Sequence, residues 1–503
     1  MPPERATALT GAMLDALPST VLVPQYDRDA LVPSVVHIGV GGFHRAHQAV
    51  YFDDLAAQGE TGWGVIGVGL RRPQMGEVLG SQDGLFTVVE RSPDGDRARV
   101  VGALVEYLFA PDDPEAVLRA LADARTRLVT LTITGGGYLV DGEGRFEVHD
   151  DDVQHDLAHP EQPTTAVGFL VEALRRRRQA GTGPFTVLSC DNLPDSGAAA
   201  RTAVVSFAEL TDPELARWIG GRVSFPSSMV DRITPETSPQ TRDEVEELFG
   251  VPDRWPVVTE PFRQWVVEDD FCAGRPPLER VGVQLVGEVA PYKVVKARLL
   301  NGGHCALGYL GSLLGYERTD QAMADPAVRG AVERMLRDEV APLVPTVPGL
   351  NLAEYLDTTL QRFANPAIGD SLARLCRRGS VKMPSYLLPS LREARDQGRP
   401  HALLLLAVAA WFRYLRGTDL SGAALEVSDP RAEPLQALAS HGADDPRPLL
   451  GMRSIFGKLG DDRLLVEQLA RTLRVLSHGG VEAAVWACSD DDRPAVLGDQ
   501  TAA

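Results

Sequence analysis

The stretch "KVVKARLLNGGHCALGYLGSLLGY" carries an ammonium, an amide and an imidazole, those of Lys296, Asn301 and His304, on one apolar segment. At about 3.6 residues per turn, Asn301 and His304 share a helix face, and all three side chains fall within roughly 140° of arc. One helix then points three polar groups into one cleft; the alternative is an interior helix with a capped asparagine and a satisfied histidine. Gly302 and Gly303 each cost a helix about 1 kcal/mol, which points to close packing or to approach of a ligand. A second candidate is Asn192 in "FTVLSCDNLPDSGAAARTAVVSF", at the carboxyl end of a strand, where an open α/β sheet places its ligand. It also reads as a plain turn residue, with Ser196 capping the helix that follows. Asp231 and Arg232 sit in what reads as an apolar loop, "SFPSSMVDRITPETS", either as site residues or as a local ion pair. Finally, "VVHIGVGGFHRAHQ" begins as a dinucleotide-binding turn. An apolar strand runs into Gly39 and Gly41, which let the backbone turn tightly and approach a pyrophosphate, but the third glycine of G-x-G-x-x-G is replaced by His44.

These groups need elements to hold them, and composition bounds what those elements are. The chain has 503 residues, 44% of them hydrophobic, enough for two or three domains. A net charge of −19 and a pI near 5.0 argue against a nucleic-acid partner, which requires clustered cations. The dense basic run Arg175 to Arg178 reads as a solvated helix C-terminus. The five cysteines, Cys190, Cys272, Cys305, Cys376 and Cys488, are scattered without a C-x-x-C, which fits a reducing cytoplasm and neither a disulfide framework nor structural zinc. No signal-peptide pattern opens "MPPERATALTGAML", and the longest apolar run, in "HALLLLAVAAWFRYL", is short for a bilayer and reads as a buried helix. No membrane partner is expected; the oligomeric state is not legible, and a monomer is consistent with the sequence. The tail "DDDRPAVLGDQTAA" carries no chemical signal and is expected to fray.

Between Val35 and Leu193, strand candidates "SVVHIGV", "WGVIGVGL", "RLVTLTIT" and "FTVLSC" alternate with helix candidates "AHQAVYFDDLAAQ", "DPEAVLRALADA" and "TAVGFLVEALRRRR". This predicts an α/β fold, a mostly parallel Rossmann-type sheet covered on both faces. Beyond about residue 285 the pattern turns helical, so a dinucleotide-binding domain is expected over 1–286 and a mainly α-helical substrate-binding and catalytic domain over 287–503.

Together the blocks "GVGGFHRAHQA", "LTITGGGY", "HDLAHP", "SCDNLPDSGA", "SFPSSMVDRITP", "WPVVTEPFRQWVVED", "KARLLNGGHCALGYLG" and "DPRAE" resemble the polyol-specific long-chain dehydrogenases, the mannitol 2-dehydrogenase family, from about residue 35 to 435. The resemblance implies hydride transfer between NAD(H) or NADP(H) and a secondary alcohol of a sugar polyol, most simply D-mannitol and D-fructose, without a metal. The family carries Gly-x-Gly-x-Phe-His-Arg in place of the third glycine, which assigns Gly39, Gly41, Gly42 and Phe43 to the cofactor. It further implies Lys296 as general base, Asn192 and Asn301 as amides on the reacting oxygen, and His304 as the imidazole that orients substrate. Asp231, Arg374 and Lys382 then line the substrate pocket. Bringing a lysine from about 10.4 to near neutrality costs about 4 kcal/mol, which burial and neighbouring cations can supply.

Three positions depart from the family pattern. Gly135 stands where a carboxylate is expected. Lys293 occupies a position that is acidic in relatives with mannitol activity, and it either faces the cleft, favouring an anionic substrate, or points to solvent. Arg71 and Arg72 follow "VIGVGL" where an acid would hold the adenosine ribose, an arrangement suited to the 2′-phosphate of NADP. Two rival functions follow: a hexuronate reductase acting on D-fructuronate or D-tagaturonate, and a non-catalytic dinucleotide or sugar sensor.

Overall fold

The computed structural model describes residues 8–491, so the tail beyond Asp491 lies outside the described residues. The chain divides into two compact units, Met1–Ala290 and Pro291–Ala503.

The first unit is built on five parallel strands: β1 (Pro33–Ile38), β2 (Gly64–Gly69), β3 (Leu104–Phe109), β4 (Leu128–Leu131) and β5 (Thr186–Ser189). Their spatial order is β3-β2-β1-β4-β5. The order reverses between β1 and β4, and a doubly wound sheet binds its ligand at such a switch point. The strands read as continuous apolar runs because both faces are covered. Val36, Ile38, Val129 and Leu131 pack under the helices Pro114–Ala122, Ala166–Gln179 and Ser196–Thr211, whereas Val35, Val65 and Leu128 pack on the other face against Val50, Phe52 and Leu55 of the helix Gln48–Ala57. Side chains cap the first group: Asp113 accepts from Ala116 N and Thr165 from Gly168 N. The helix after β5 is capped by Asp195, which accepts from Ala198 N, and not by Ser196, which is its first residue.

Two smaller sheets complete the unit. In one, Phe86–Glu90 and Arg97–Val101 pair antiparallel and are flanked by Val257–Thr259 and Val21–Leu22. In the other, Gln264–Glu268 pairs antiparallel with Ser228–Asp231 and parallel with Gln284–Val286.

The arginine run does end its helix, at Gln179, but it is only partly solvated. Arg175 and Arg176 both bind the buried Glu172, Arg176 also binds Glu115, and Arg178 reaches Asp212 and Glu214. Arg177 is buried and donates to the carbonyls of Leu121, Asp123 and Gly183. The run therefore clamps the end of its helix to neighbouring helices and loops, and apart from Glu172 its partners lie outside the local sequence.

The second unit is helical. Ala402–Tyr414, apolar on all sides, is buried between Gly302–Leu313 and Arg463–Asp491, the latter kinked at Gly480, where φ is 83°. All five cysteines are free, and among the described residues no helix is long and apolar enough to cross a membrane.

Candidate active site

The turn after β1 depends on glycine at its first position. Gly39 has φ of 102°, and a Cβ there would lie 2.2 Å from the carbonyl oxygen of Thr132. Thr132 Oγ1 in turn donates to the Gly39 carbonyl at 2.7 Å. The chain then enters a short helix, Gly42–Ala46, breaks at His47, and continues as Gln48–Ala57.

Beside this turn lies a cavity of about 860 Å³, lined by Gly39, Gly41, Gly42, Phe43, Arg71 and Arg72, together with Arg45, Tyr107, Thr132 to Thr134, Thr164 to Ala166, Thr234 to Thr237 and Trp255. All six residues expected at the cofactor therefore meet in one place. Arg71 and Arg72 are exposed, and the 3.6 Å contact of Arg71 with the exposed Asp152 holds it weakly.

Two carboxylates, the half-buried Asp191 and the buried Asp156, fix the loops of this cavity. Asp191 accepts from Ile133 N at 3.0 Å, Thr134 N at 2.9 Å and Tyr138 Oη at 2.7 Å, and burial pushes its carboxyl above the usual range. It thereby anchors the loop around Gly135, whose Cβ position is 3.2 Å from Leu193. Asp156, from the "HDLAHP" block, accepts from both the backbone N–H and the hydroxyl of Thr164 and of Thr165, at 2.7–2.9 Å. Neither anchor stood out in the sequence; the Thr164-Thr165 pair, eight and nine residues past Asp156, was the available signal.

Asn192 is exposed, three residues beyond the end of β5, and Asp231 is buried; neither lines this cavity. The expected apolar loop at Asp231 and Arg232 is a strand end instead, with Asp231 paired in register with Gln264. Arg232 is buried and donates to Glu90 and to the carbonyls of Ala46 and Glu260. It ties three segments together.

In the second unit, Lys296, Asn301 and His304 do not lie on one regular α-helix. Lys296–Asn301 forms a π-helical turn between Ala290–Val295 and Gly302–Leu313, and Gly302 N donates to Ala297 O. Bonds from i to i+5 widen the turn, so residues five apart, Lys296 and Asn301, come onto one face, where α-helical spacing would set them about 140° apart. Close packing explains Gly303, whose Cβ position is 2.9 Å from Phe363 Cε2. The Phe363 ring lies 4.5 Å from that of His304.

Lys296 is buried, and Lys293 is half-buried. Four cations act electrostatically on His304: Arg374, Arg362, Lys382 and Lys296. Burial above all, and these charges next, push its imidazole well below the ordinary histidine range, so it is neutral; its Nε2 is buried without a hydrogen-bond partner. Arg374 is held by the buried Asp370. Lys382 donates to the carbonyls of Arg374 and Leu375 at 3.2 and 2.9 Å, and burial lowers its pKa. Its helix, Gly379–Tyr386, is pinned by Asp429 of the "DPRAE" block, which accepts from Ser380 N at 2.8 Å and Ser380 Oγ at 2.6 Å. Sequence reasoning missed Arg362, which no spacing rule ties to His304.

The first unit fits a nicotinamide dinucleotide. A first glycine that tolerates no side chain, helix-start N–H groups beside it and three arginines along one cavity suit an anionic pyrophosphate. Among the described residues no cluster of three or more His, Cys, Asp or Glu side chains is placed to hold a metal ion.

A parallel sheet of this order, with a glycine turn at its switch point and a separate helical unit, defines the class of two-domain, dinucleotide-binding oxidoreductases. The mannitol dehydrogenase Rossmann domain matches residues 33–280 and the mannitol dehydrogenase C-terminal domain residues 288–477. The chain is 46% identical over 469 residues to a mannitol 2-dehydrogenase of Cereibacter sphaeroides, covering 93% of this chain and 98% of that protein. Among solved structures it resembles Pseudomonas fluorescens mannitol 2-dehydrogenase in ternary complex with NAD and D-mannitol, at a TM-score of 0.86 and 42% identity over 96% of this chain and 99% of the other. It also resembles a D-sorbitol dehydrogenase in substrate-free form, at a TM-score of 0.88 and 38% identity over 95% and 100% of the two chains. This chain belongs to the mannitol dehydrogenase family.

Proposed function

We propose that this chain is a cytoplasmic NAD-dependent polyol dehydrogenase that interconverts D-mannitol and D-fructose. The observation that carries the reading is the buried Lys296 on a π turn, beside a neutral His304, in a chain whose first unit holds a dinucleotide-shaped cavity. Near full-length likeness to a protein solved with NAD and D-mannitol supports it.

Bound NAD(H) supplies the hydride acceptor or donor. Lys296 takes the hydroxyl proton of the alcohol as hydride leaves the same carbon, and returns it in ketose reduction. The amides of Asn192 and Asn301 donate to the oxygen as it gains negative charge. A neutral imidazole has one N–H and one lone pair, so His304 can both donate to and accept from polyol hydroxyls. Asp231, Arg374 and Lys382 orient the remaining hydroxyls. Proton removal by this route uses no metal. Arg71 and Arg72, exposed along the cavity and following "VIGVGL" where an acid would be expected, admit NADP(H) alongside NAD(H).

The cations around His304 favour a second reading, reduction of a hexuronate such as D-fructuronate, whose carboxylate they would pair. Initial rates with D-fructose and D-fructuronate, each with NADH and NADPH, separate these readings. Native enzyme is expected to prefer D-fructose, and Lys296→Ala to lower kcat by about 10²–10⁴-fold. Preference for D-fructuronate would overturn the substrate assignment, and a fully active Lys296→Ala would overturn the base.

A further inference from the structure

His44 stands where a dinucleotide-binding turn ordinarily has its third glycine, the residue that lets helix and strand pack closely. A side chain fits here because it lies flat. The rings of His44 and of His37, on β1, are stacked with centroids 3.5 Å apart and planes 8° from parallel, and both residues are buried. His37 is braced on its two ring nitrogens, Nδ1 hydrogen-bonding with Thr130 Oγ1 at 2.8 Å and Nε2 with Thr132 Oγ1 at 3.0 Å. Thr132 Oγ1 is the same atom that donates to the Gly39 carbonyl. A continuous path of contacts therefore runs from the His44 ring through His37 and Thr132 to the first glycine of the turn.

We propose that His44 is a positioning residue for the cofactor: its ring face, stacked on His37, holds the Gly39–Gly42 turn in the geometry that receives the pyrophosphate. The inference rests on the dinucleotide reading of the cavity. Both nitrogens of the His44 ring are buried without hydrogen-bond partners, so its contribution comes from the flat face and not from polarity. A stack this close requires uncharged rings. Burial meets that requirement, with the neighbouring His37, Arg45 and His47 acting in the same direction on His44. The same burial pushes His37 down to about 3.

The test is NADH binding, followed by fluorescence with the purified full chain and three variants. His44→Phe keeps a flat ring and is expected to bind within threefold of native. His44→Gly, which restores the ordinary glycine, is expected to bind at least tenfold more weakly, with the KM for ketose moving less than twofold. Should His44→Gly fail to fold, Thr130→Val releases one brace of His37 without touching the cavity and is expected to weaken NADH binding about threefold. A merely structural role would lower the melting temperature of these variants and leave the dissociation constant of the folded protein unmoved, which would overturn the proposal. So would His44→Phe binding as poorly as His44→Gly. Native protein that binds neither NADH nor NADPH would overturn the cofactor reading itself, and this inference with it.

Discussion

Replacing Gly303 by alanine adds one methyl group to the helix that carries His304, and the structure indicates what that methyl would meet. Its Cβ would lie 2.9 Å from Phe363 Cε2 and 3.1 Å from Leu336 Cδ1, where carbon atoms prefer about 3.5–4.0 Å. Phe363 would have to retreat by roughly half an ångström or more, and overpacking of this kind costs about 1–3 kcal/mol. Against it stands a gain of about 1 kcal/mol in helix propensity. Gly302→Ala provides the control on the adjacent residue: its Cβ would sit 3.4 Å from the carbonyl oxygen of Tyr386, an ordinary contact, so only the propensity gain applies. Gly303→Ala should therefore be less stable than Gly302→Ala by about 2 kcal/mol, the central value of that overpacking cost. For a unit of this size that is about 4–8 °C in Tm. Because Phe363 packs against the His304 ring, its retreat should also lower kcat/KM for the polyol about tenfold, as small misplacements at a reacting site do. Calorimetry and initial rates on the two variants measure both effects. Equal Tm values with unchanged kcat/KM would refute the argument that packing on Phe363 is what requires glycine.

Two further outcomes follow from buried groups. His37 and His47 are pushed down to about 3 by burial, so they stay neutral in the folded chain while the unfolded chain binds protons below about 6.5. Each removes about 1 kcal/mol of stability between pH 6.5 and 5.5, the loss approaching about 1.4 kcal/mol per pH unit further down, so the pair should cost about 2 kcal/mol over that interval, read as a drop in the urea midpoint; an unchanged midpoint would contradict neutral burial. Asp429→Ala removes both acceptors of Ser380 and should cost about 1–3 kcal/mol through the unpaired backbone N–H, and with Lys382 no longer held in place the KM for polyol should rise about fivefold while NADH binding stays within twofold of native. Equal increases in both constants would place the effect outside the substrate pocket.

Much of the frame was legible because its causes are local. The four strands expected between Val35 and Leu193 form where apolar runs meet turn residues, and of the helices between them Pro114–Ala122 and Ala166–Gln179 form where amphipathic runs follow a cap. What escaped depends on distant partners. Arg177 looks like its neighbours in the run, and the carbonyls of Leu121, Asp123 and Gly183 make it a buried clamp. Arg232 reads as the partner of Asp231 until Glu90, 142 positions earlier, is brought beside it. The strands of the two smaller sheets are short or carry arginine and glutamine, so alternation alone did not separate them from loops. Within the site, the residue types on "KARLLNGGHCALGYLG" were legible and their angular relation was not. An apolar run with two glycines reads the same whether its turn closes at i+4 or i+5, and the difference brings Lys296 and Asn301 onto one face.

Net charge was the least transferable reading, and the reason lies in where the acids sit. The chain carries −19, yet Glu236 is the one carboxylate among the described residues lining the cavity beside the Gly39 turn, against three arginines. The acids around that cavity are turned inward onto backbone. Asp191 holds Ile133 and Thr134, Asp156 holds Thr164 and Thr165, Asp253 holds Thr87 and Trp255, and Glu260 holds Ile233, each through main-chain N–H groups. A carboxylate used this way anchors a loop through charge-assisted bonds and has part of its charge neutralised by the amide dipoles it accepts. An overall acidic balance is thus compatible with a cationic groove for a doubly charged pyrophosphate. The whole-chain charge bears on an extended polyanion, which reads the outer surface, but says nothing against a small anion that enters a cavity lined by Arg45, Arg71 and Arg72.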